Sequence, residues 1–331
     1  LAMLKKNISQ YLVLDNENQT AYLNLNNGWY WWYWYGDEVE ANAFYLKLLS
    51  LTEPNSELSP KIVKYLINNR KNGRYWKSTR DTSYCIEAIS DFIRSSKEKQ
   101  PDIEVEVILD GKMLKKEKIT AENLFSFNNS ITLKAKELSP GKHKLEFKKT
   151  GKNPLYYSSY LTYYTTEEFI TKTGLEIKVT RNYYKLIKKE EENNAPDKNG
   201  QIVQQKVEKY MRIPIKNYDV LKTGDMIEVE LVIESKNDYE YLVFEDMKAA
   251  GLEPCEIRSG YNENEIGAFI EFRDEKVLFF VRGLPRGRHN VSYRMRAEIP
   301  GTFSVLPATG SAMYSPELKA NSDEIKIKIE D

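Results

Sequence analysis

The hydrophobic period of the chain changes near residue 100, and that change limits the folds open to it. Upstream, apolar residues recur at helical spacing. Val39, Ala43, Leu46 and Leu49 follow Asp37, a residue suited to cap a helix. Ser59-Pro60 reads as a cap with proline at the first helical position, ahead of the stripe Ile62, Val63, Leu66 and Ile67, and a stop ends at Gly73. Asp81 opens a third helix that carries Cys85, Ala88, Ile89, Phe92 and Ile93 on one face. The opening run "LAMLKKNISQYLVL" also reads as helix. These segments predict a four-helix part of a small bundle or of a larger helical array.

Downstream the period is two. "IEVEVILDGKML" sets Ile103, Val105, Val107 and Leu109 on one face and Glu104 and Glu106 on the other, and Asp110-Gly111 predicts a hairpin turn. "ITLKAKEL", "GKHKLEFKK" and "LYYSSYLTYYT" read as further strands of an antiparallel sheet that is small for a complete sandwich. A second all-β unit begins near "GLEIKVTRNYYKL". The stretch "KKEEENNAPDKNGQ", Lys188 to Gln201, has no apolar period and reads as a solvent-exposed loop. Five alternating segments from Met226 onward are separated by turn signals such as Thr223-Gly224-Asp225 and Pro285-Arg286-Gly287. About seven strands in this unit predict an immunoglobulin-like sandwich. Ile325, Ile327 and Ile329 tie the last strand into a sheet.

Composition narrows the function. Lys plus Arg balance Asp plus Glu at 49 each, so no bulk positive field draws nucleic acid. The two cysteines, Cys85 and Cys255, are too few and too far apart for a disulfide framework and read as free thiols. His143 and His289 have no ligand-spaced neighbours, which argues against a zinc site or a serine–histidine hydrolase; no metal or cofactor is expected. No apolar run is long enough to cross a bilayer as a helix. The first residues lack a start methionine and a secretory signal, and the chain reads as the C-terminal piece of something longer.

Two passages carry a family resemblance. "GDEVEANAFYLKLL", followed by a turn of Gly73, Tyr75, Trp76, Ser78, Thr79, Asp81 and Thr82, resembles the end of the thioester domain of alpha-2-macroglobulins and complement proteins. "YLVFEDMKAAGLEPCEIRSGYN" and the sequence through "GSAMYSPEL" resemble the last macroglobulin domain of the bacterial members of that family. The resemblance implies an α+β multidomain chain. Residues 1–98 are then partial α/α-toroid helices of the thioester domain. Residues 99–170 are the second half of a CUB-like β domain, and 171–331 the last macroglobulin domain, an immunoglobulin-like β-sandwich. It also implies a broad-range protease trap rather than an enzyme, lodged in the cell envelope, the periplasm or outside the cell. Its partners would be target proteases and the remaining macroglobulin domains of the same chain, with no nucleic acid and no small-molecule substrate. The thioester of the family comes from Cys-x-x-Gln, and neither Cys85-Ile86-Glu87-Ala88 nor Cys255-Glu256-Ile257-Arg258 fits. Met313-Tyr314 matches the Met–Tyr pair of the family's locking loop, which implies that they cover a thioester pocket and keep water out.

The run "NGWYWWYWYGDEVEANA" from Asn27 to Ala43 remains. Trp29, Trp31, Trp32 and Trp34, with Trp76, are expected to pack between domains, because seven adjacent rings from Trp29 to Tyr35 cannot all face one way. A carbohydrate-active, lyase-like protein joining a helical toroid to β-sandwiches is the rival reading, and a surface protein-binding module a third. Asp37, Glu38 and Glu40 suit a glycosidase pair less well than a helix N-terminus. Arg74 and Arg80 beside Trp76, and Arg294 with Arg296, read as solvated cations.

Overall fold

A computed structural model describes residues 2–25, 38–71, 74–96, 100–161, 169–196, 202–261 and 264–331. It divides into two compact units, Leu1–Ile67 with Trp76–Tyr164, and Asn68–Tyr75 with Thr165–Asp331.

The first unit opens with α1 (Ala2–Ser9), which ends earlier than its sequence suggests. "LVLD" is a strand, β1 (Leu12–Asp15), paired with β2 (Thr20–Leu23) in a hairpin. Asp15 Oδ1 accepts from the Glu17 and Asn18 amides and turns the chain. Three longer helices follow, α2 (Glu38–Thr52), α3 (Leu58–Asn68) and α4 (Thr79–Ser95). Ala43, Leu46, Leu49, Ile62, Val63, Leu66, Cys85, Ala88 and Phe92 are buried in one core, as their spacing predicts. Ile67 is exposed instead, and Tyr65 faces the core, its ring stacked on Tyr22 at 4.7 Å. Buried Asn42 accepts from the Leu23 amide and donates to the Leu23 carbonyl, which fastens α2 to the end of β2.

Both helix starts lie elsewhere than expected. Ser56 Oγ accepts from the Leu58 amide, so Ser56 serves the start of α3 and Pro60 sits within its first turn. Ser78 caps α4: its Oγ accepts from the Asp81 amide and donates to the Asp81 carboxylate. The expected cap Asp37 and stop Gly73 lie outside the described residues.

The rest of this unit is a three-stranded antiparallel sheet in the order β4–β3–β5, made of β3 (Asp102–Leu109), β4 (Lys112–Thr120) and β5 (Leu145–Thr150). Asp110 and Gly111 take φ of 50° and 81°, the left-handed pair that a two-residue hairpin requires. A bulge between Val107 and Ile108 reverses the alternation, so Ile108 is buried rather than Leu109. "ITLKAKEL" and Leu155 to Leu161 are not strands. The first contains a single 3₁₀ turn, Ala135–Glu137, and the second has no regular structure. Their β-favouring residues find no ladder to join, and strand propensity acts only through such neighbours.

The second unit is β throughout the described part of 165–331. Its strands are β6 (Thr173–Gly174), β7 (Ile177–Pro196), β8 (Ile202–Ile215), β9 (Val220–Lys222), β10 (Met226–Ser235), β11 (Tyr239–Met247), β12 (Leu252–Pro254), β13 (Gly260–Tyr261), β14 (Phe269–Phe272), β15 (Lys276–Leu284), β16 (Gly287–Ala297), β17 (Gly301–Val305), β18 (Thr309–Ala312), β19 (Ser315–Asn321) and β20 (Ile325–Glu330). A five-stranded sheet runs β12–β16–β10–β7–β8 and a seven-stranded sheet β13–β14–β15–β11–β18–β19–β6, all antiparallel. A third sheet, β17–β20–β9, joins β20 to β9 in parallel. The strands thus exceed the expected seven. One buried core gathers Ile227, Val229, Leu231 and Ile233 from the first sheet with Leu242, Phe244, Val277 and Phe279 from the second.

The stretch expected to be a loop at 188–201 is instead mostly ladder. β7 and β8 pair as far as Pro196 with Ile202. β10 accompanies β7 only to Leu186, so beyond that point β7 is paired with β8 alone among the described strands. A two-stranded ladder does not impose the apolar alternation of a strand inside a covered sheet.

Residues 68–71 also belong to this unit. Asn68 donates to Glu176, Asn69 to the Asn237 side chain, and Lys71 to the Asp238 carbonyl. Glu176 further accepts from Asn237 and from the Tyr239 hydroxyl at 2.7 Å.

Candidate functional site

Met313 and Tyr314 form the two-residue tip between β18 and β19, where Ala312 pairs with Ser315. They are 52% and 61% exposed, beside a register irregularity between Ser311 and Ala312. The hairpin is built on close approach. Gly310 lies directly opposite Phe244 of β11, and a Cβ there would stand 2.7 Å from the Phe244 ring. At the base, the Ala308 amide donates to Ser322 Oγ and the Ser322 amide to the Ala308 carbonyl.

The tip is fixed from β11. The Met313 amide donates to the Tyr241 carbonyl at 2.8 Å, and the rings of Tyr241 and Tyr314 meet edge to face at 5.4 Å. Tyr241 takes a φ of 53°, a left-handed conformation that is rare for an aromatic residue and persists only where its surroundings impose it. The tip therefore offers a soft thioether and a rigid ring to solvent from a braced position.

Behind the hairpin lies a buried polar cluster that the alternation hides. On β7, Arg181 occupies an inward position between Val179 and Tyr183, and on β11 Asp246 continues the inward series Leu242 and Phe244. Their side chains are 1% and 0% exposed and pair at 2.6 Å. Arg181 also donates to the Leu306 carbonyl at 2.7 Å and the Val305 carbonyl at 3.0 Å, and the Tyr293 hydroxyl donates to Asp246 at 2.9 Å. Burial works against the charge on Arg181, yet neighbouring Tyr183 and Asp246 hold its pKa above the ordinary value. Burial, reinforced by the Asp246 charge, raises the Tyr293 phenol too, so it stays neutral and able to donate. The charges could have been found from sequence, as a basic and an acidic residue at inward places of two apolar strands. The left-handed turn at Tyr241 has no such signal.

The other expected sites are structural or lie elsewhere. Trp76 is buried in the first unit, where its Nε1 donates to the Leu66 carbonyl at 2.8 Å and its amide to Thr82 Oγ1. Trp29, Trp31, Trp32 and Trp34 lie outside the described residues. Glu38 accepts from the Tyr65 hydroxyl and Glu40 pairs with Arg80, while Asp37 lies outside the described residues. Arg294 stacks over Tyr210 at 4.8 Å. Cys85 is buried and Cys255 exposed. His143 lies between two acceptors, Asp110 Oδ2 and the Ser139 carbonyl, each at 2.7 Å. Among the described residues, no group of three or more His, Cys, Asp or Glu side chains is placed to hold a metal ion. No helix among them is long and apolar enough to cross a membrane.

The model of the bacterial alpha-2-macroglobulin MG10 domain matches residues 177–317, which include β18, the Met313-Tyr314 tip, Arg181 and Asp246. An alpha-2-macroglobulin homolog of Nostoc sp. is 22% identical over 338 residues, covering 99% of this chain and 16% of the relative. The chain thus spans about 16% of the length of the curated relative it matches. Trypsin-activated alpha-2-macroglobulin from Escherichia coli superposes with a TM-score of 0.39 at 16% identity, covering 90% of this chain and 19% of that one. Native Escherichia coli alpha-2-macroglobulin from domain MG7 to the C-terminus gives 0.34 at 18% identity, covering 89% and 42%.

Proposed function

We propose, from the match of residues 177–317 to the model of the bacterial alpha-2-macroglobulin MG10 domain, that the chain is the C-terminal portion of a broad-range endopeptidase trap. Its MG10 hairpin tip, Met313-Tyr314, shields a thioester carried by another part of the trap. In this reading residues 1–98 are the last helices of the toroidal thioester domain, 99–170 the second half of a CUB-like domain, and 171–331 the last macroglobulin domain. The trap works in the cell envelope or outside the cell. Its partners are the proteases that cut it and the remaining macroglobulin domains of the same chain. The chain itself performs no catalysis.

The observation that carries the reading is the exposed Met–Tyr tip held in a braced geometry within the matched domain. A thioester survives only where water is excluded, and an apolar cap needs a fixed position to exclude it. Release of the cap when protease cleavage shifts the domains would expose the bond to a lysine of the attacker.

The test is methylamine uptake by the full-length protein carrying Met313→Ala, Tyr314→Ala or both. Faster uptake without prior proteolysis is expected. Uptake unchanged from the parent rejects the shielding role.

A further inference from the structure

We infer that Arg181 is a positioning residue for the hairpin tip, and that it acts by gripping the chain that enters β18. The inference rests on the shielding reading for its consequence, but its geometry stands alone. The guanidinium reaches from β7 in one sheet to Asp246 of β11 in the other, and also donates to the carbonyls of Val305 and Leu306 and, at 3.5 Å, to that of Met247 on β11. Three residues further on, β18 begins at Thr309, opposite Glu245, which directly precedes Asp246. One side chain therefore fixes the entrance of β18 against the strand that also holds the tip, through Tyr241 and Met313.

Stability alone does not account for the cluster. A buried ion pair is commonly no better than apolar residues of the same volume. Here two buried polar atoms, Arg181 Nε and Tyr183 Oη, also have no hydrogen-bond partner among the described residues. Each such atom forgoes the hydrogen bond that water would give it in the unfolded chain. What the arrangement supplies is directional. The planar fork of arginine meets a carboxylate and several carbonyls in fixed directions, which apolar packing cannot do and the freely rotating ammonium of a lysine does not impose. Val305 and Leu306 are held by bonds with fixed angles, and the hairpin inherits that register.

The experiment measures amide hydrogen exchange in the 331-residue chain. In Arg181→Met/Asp246→Leu/Tyr293→Phe all charges leave together, so none is stranded in the core. Exchange of the Met313 and Ala308 amides should rise at least tenfold. Exchange of the Ala297 amide, which donates to the Asp225 carbonyl elsewhere in the unit, should stay within twofold. Equal changes at all three amides, or none at Met313, overturn the inference. Should the triple variant fail to fold, Arg181→Lys decides by the same amides. A selective rise at Met313 and Ala308 supports the grip, and a uniform change or none overturns it.

Methylamine uptake by the full-length protein with the same substitutions separates the two ideas. Selective exchange with faster uptake supports both. Selective exchange with unchanged uptake keeps Arg181 as the positioning residue and removes the shield.

Discussion

Two β regions of this molecule begin from the same kind of sequence and end differently. β3 in the first unit alternates at its start, through Ile103 and Val105, as β10 does through Ile227 and Val229 in the second. Yet the small sheet buries a modest cluster around Ile103, Val105 and Ile119. Beyond it Tyr156, Tyr157, Tyr160 and Leu161 are all more than half exposed. The sandwich closes two sheets over a continuous core in which Phe244, Phe279, Leu231 and Leu242 are fully buried. Alternation tells a strand which face is apolar. It does not say whether a second layer arrives to cover that face.

The largest effect that could break this contrast is expected at Phe244. Its ring lies between Phe279 and Gly310 across the ladder and is fully buried. Phe244→Ala should cost about 3–5 kcal/mol. In the small sheet, Val105→Ala should cost only about 1–2 kcal/mol, from fewer methyl groups in a thinner core. Urea unfolding followed by hydrogen exchange of peptides from each unit measures both. Equal losses would mean that the small sheet is covered as completely as the sandwich.

Between these extremes lies Gly310→Ala. The added methyl meets the Phe244 ring at 2.7 Å, with Val179 behind it at 3.4 Å. Neither neighbour has free space to yield in a packed interior. A loss of about 1–3 kcal/mol is expected, read as a lower urea midpoint of the second unit. An unchanged midpoint would show that β18 can lift from β11 without cost, and the tip would then be less firmly held than its contacts suggest.

How much of this was legible follows the same division. The faces of α2 and α4, the Asp110-Gly111 turn and the Ile327–Ile329 face of β20 could be read because each depends on neighbours close in sequence or on a single covered face. The β7–β8 ladder beyond Leu186 could not, since it extends past β10, the neighbour that would have imposed a period on it. Leu155 to Leu161 misled for the opposite reason: good strand residues without a strand to pair with. At the candidate site, Met313 and Tyr314 were marked by family resemblance alone. Their support from Tyr241, Arg181 and Asp246 comes from residues 67 to 133 positions away, joined only when the sheets assemble.

The smallest effect concerns a contact on the edge of the weaker region, and it tests whether that region depends on local clips where the sandwich relies on burial. His143 stands between the Asp110 carboxylate and the Ser139 carbonyl. Both ring nitrogens face acceptors, so the ring satisfies both only as the imidazolium. The hydrogen bond to Asp110, and then that to Ser139, raise the pKa of His143; the bond from His143, and then that from the Lys144 amide, lower that of Asp110. A raised histidine gives its support in full below the ordinary histidine value and loses it as pH climbs through the raised one. A lowered carboxylate gives its support above the ordinary carboxylate range and loses it as pH falls through the lowered value. The clip should therefore be tightest between those two titrations. The Lys144 amide, which donates to Asp110 Oδ1 at 2.8 Å, reports it. Corrected for intrinsic exchange, its protection should fall a few-fold as His143 deprotonates, and His143→Ala should abolish that step while leaving the Met313 amide untouched. A flat profile in the wild-type chain would remove the clip and leave the small sheet to its own ladder.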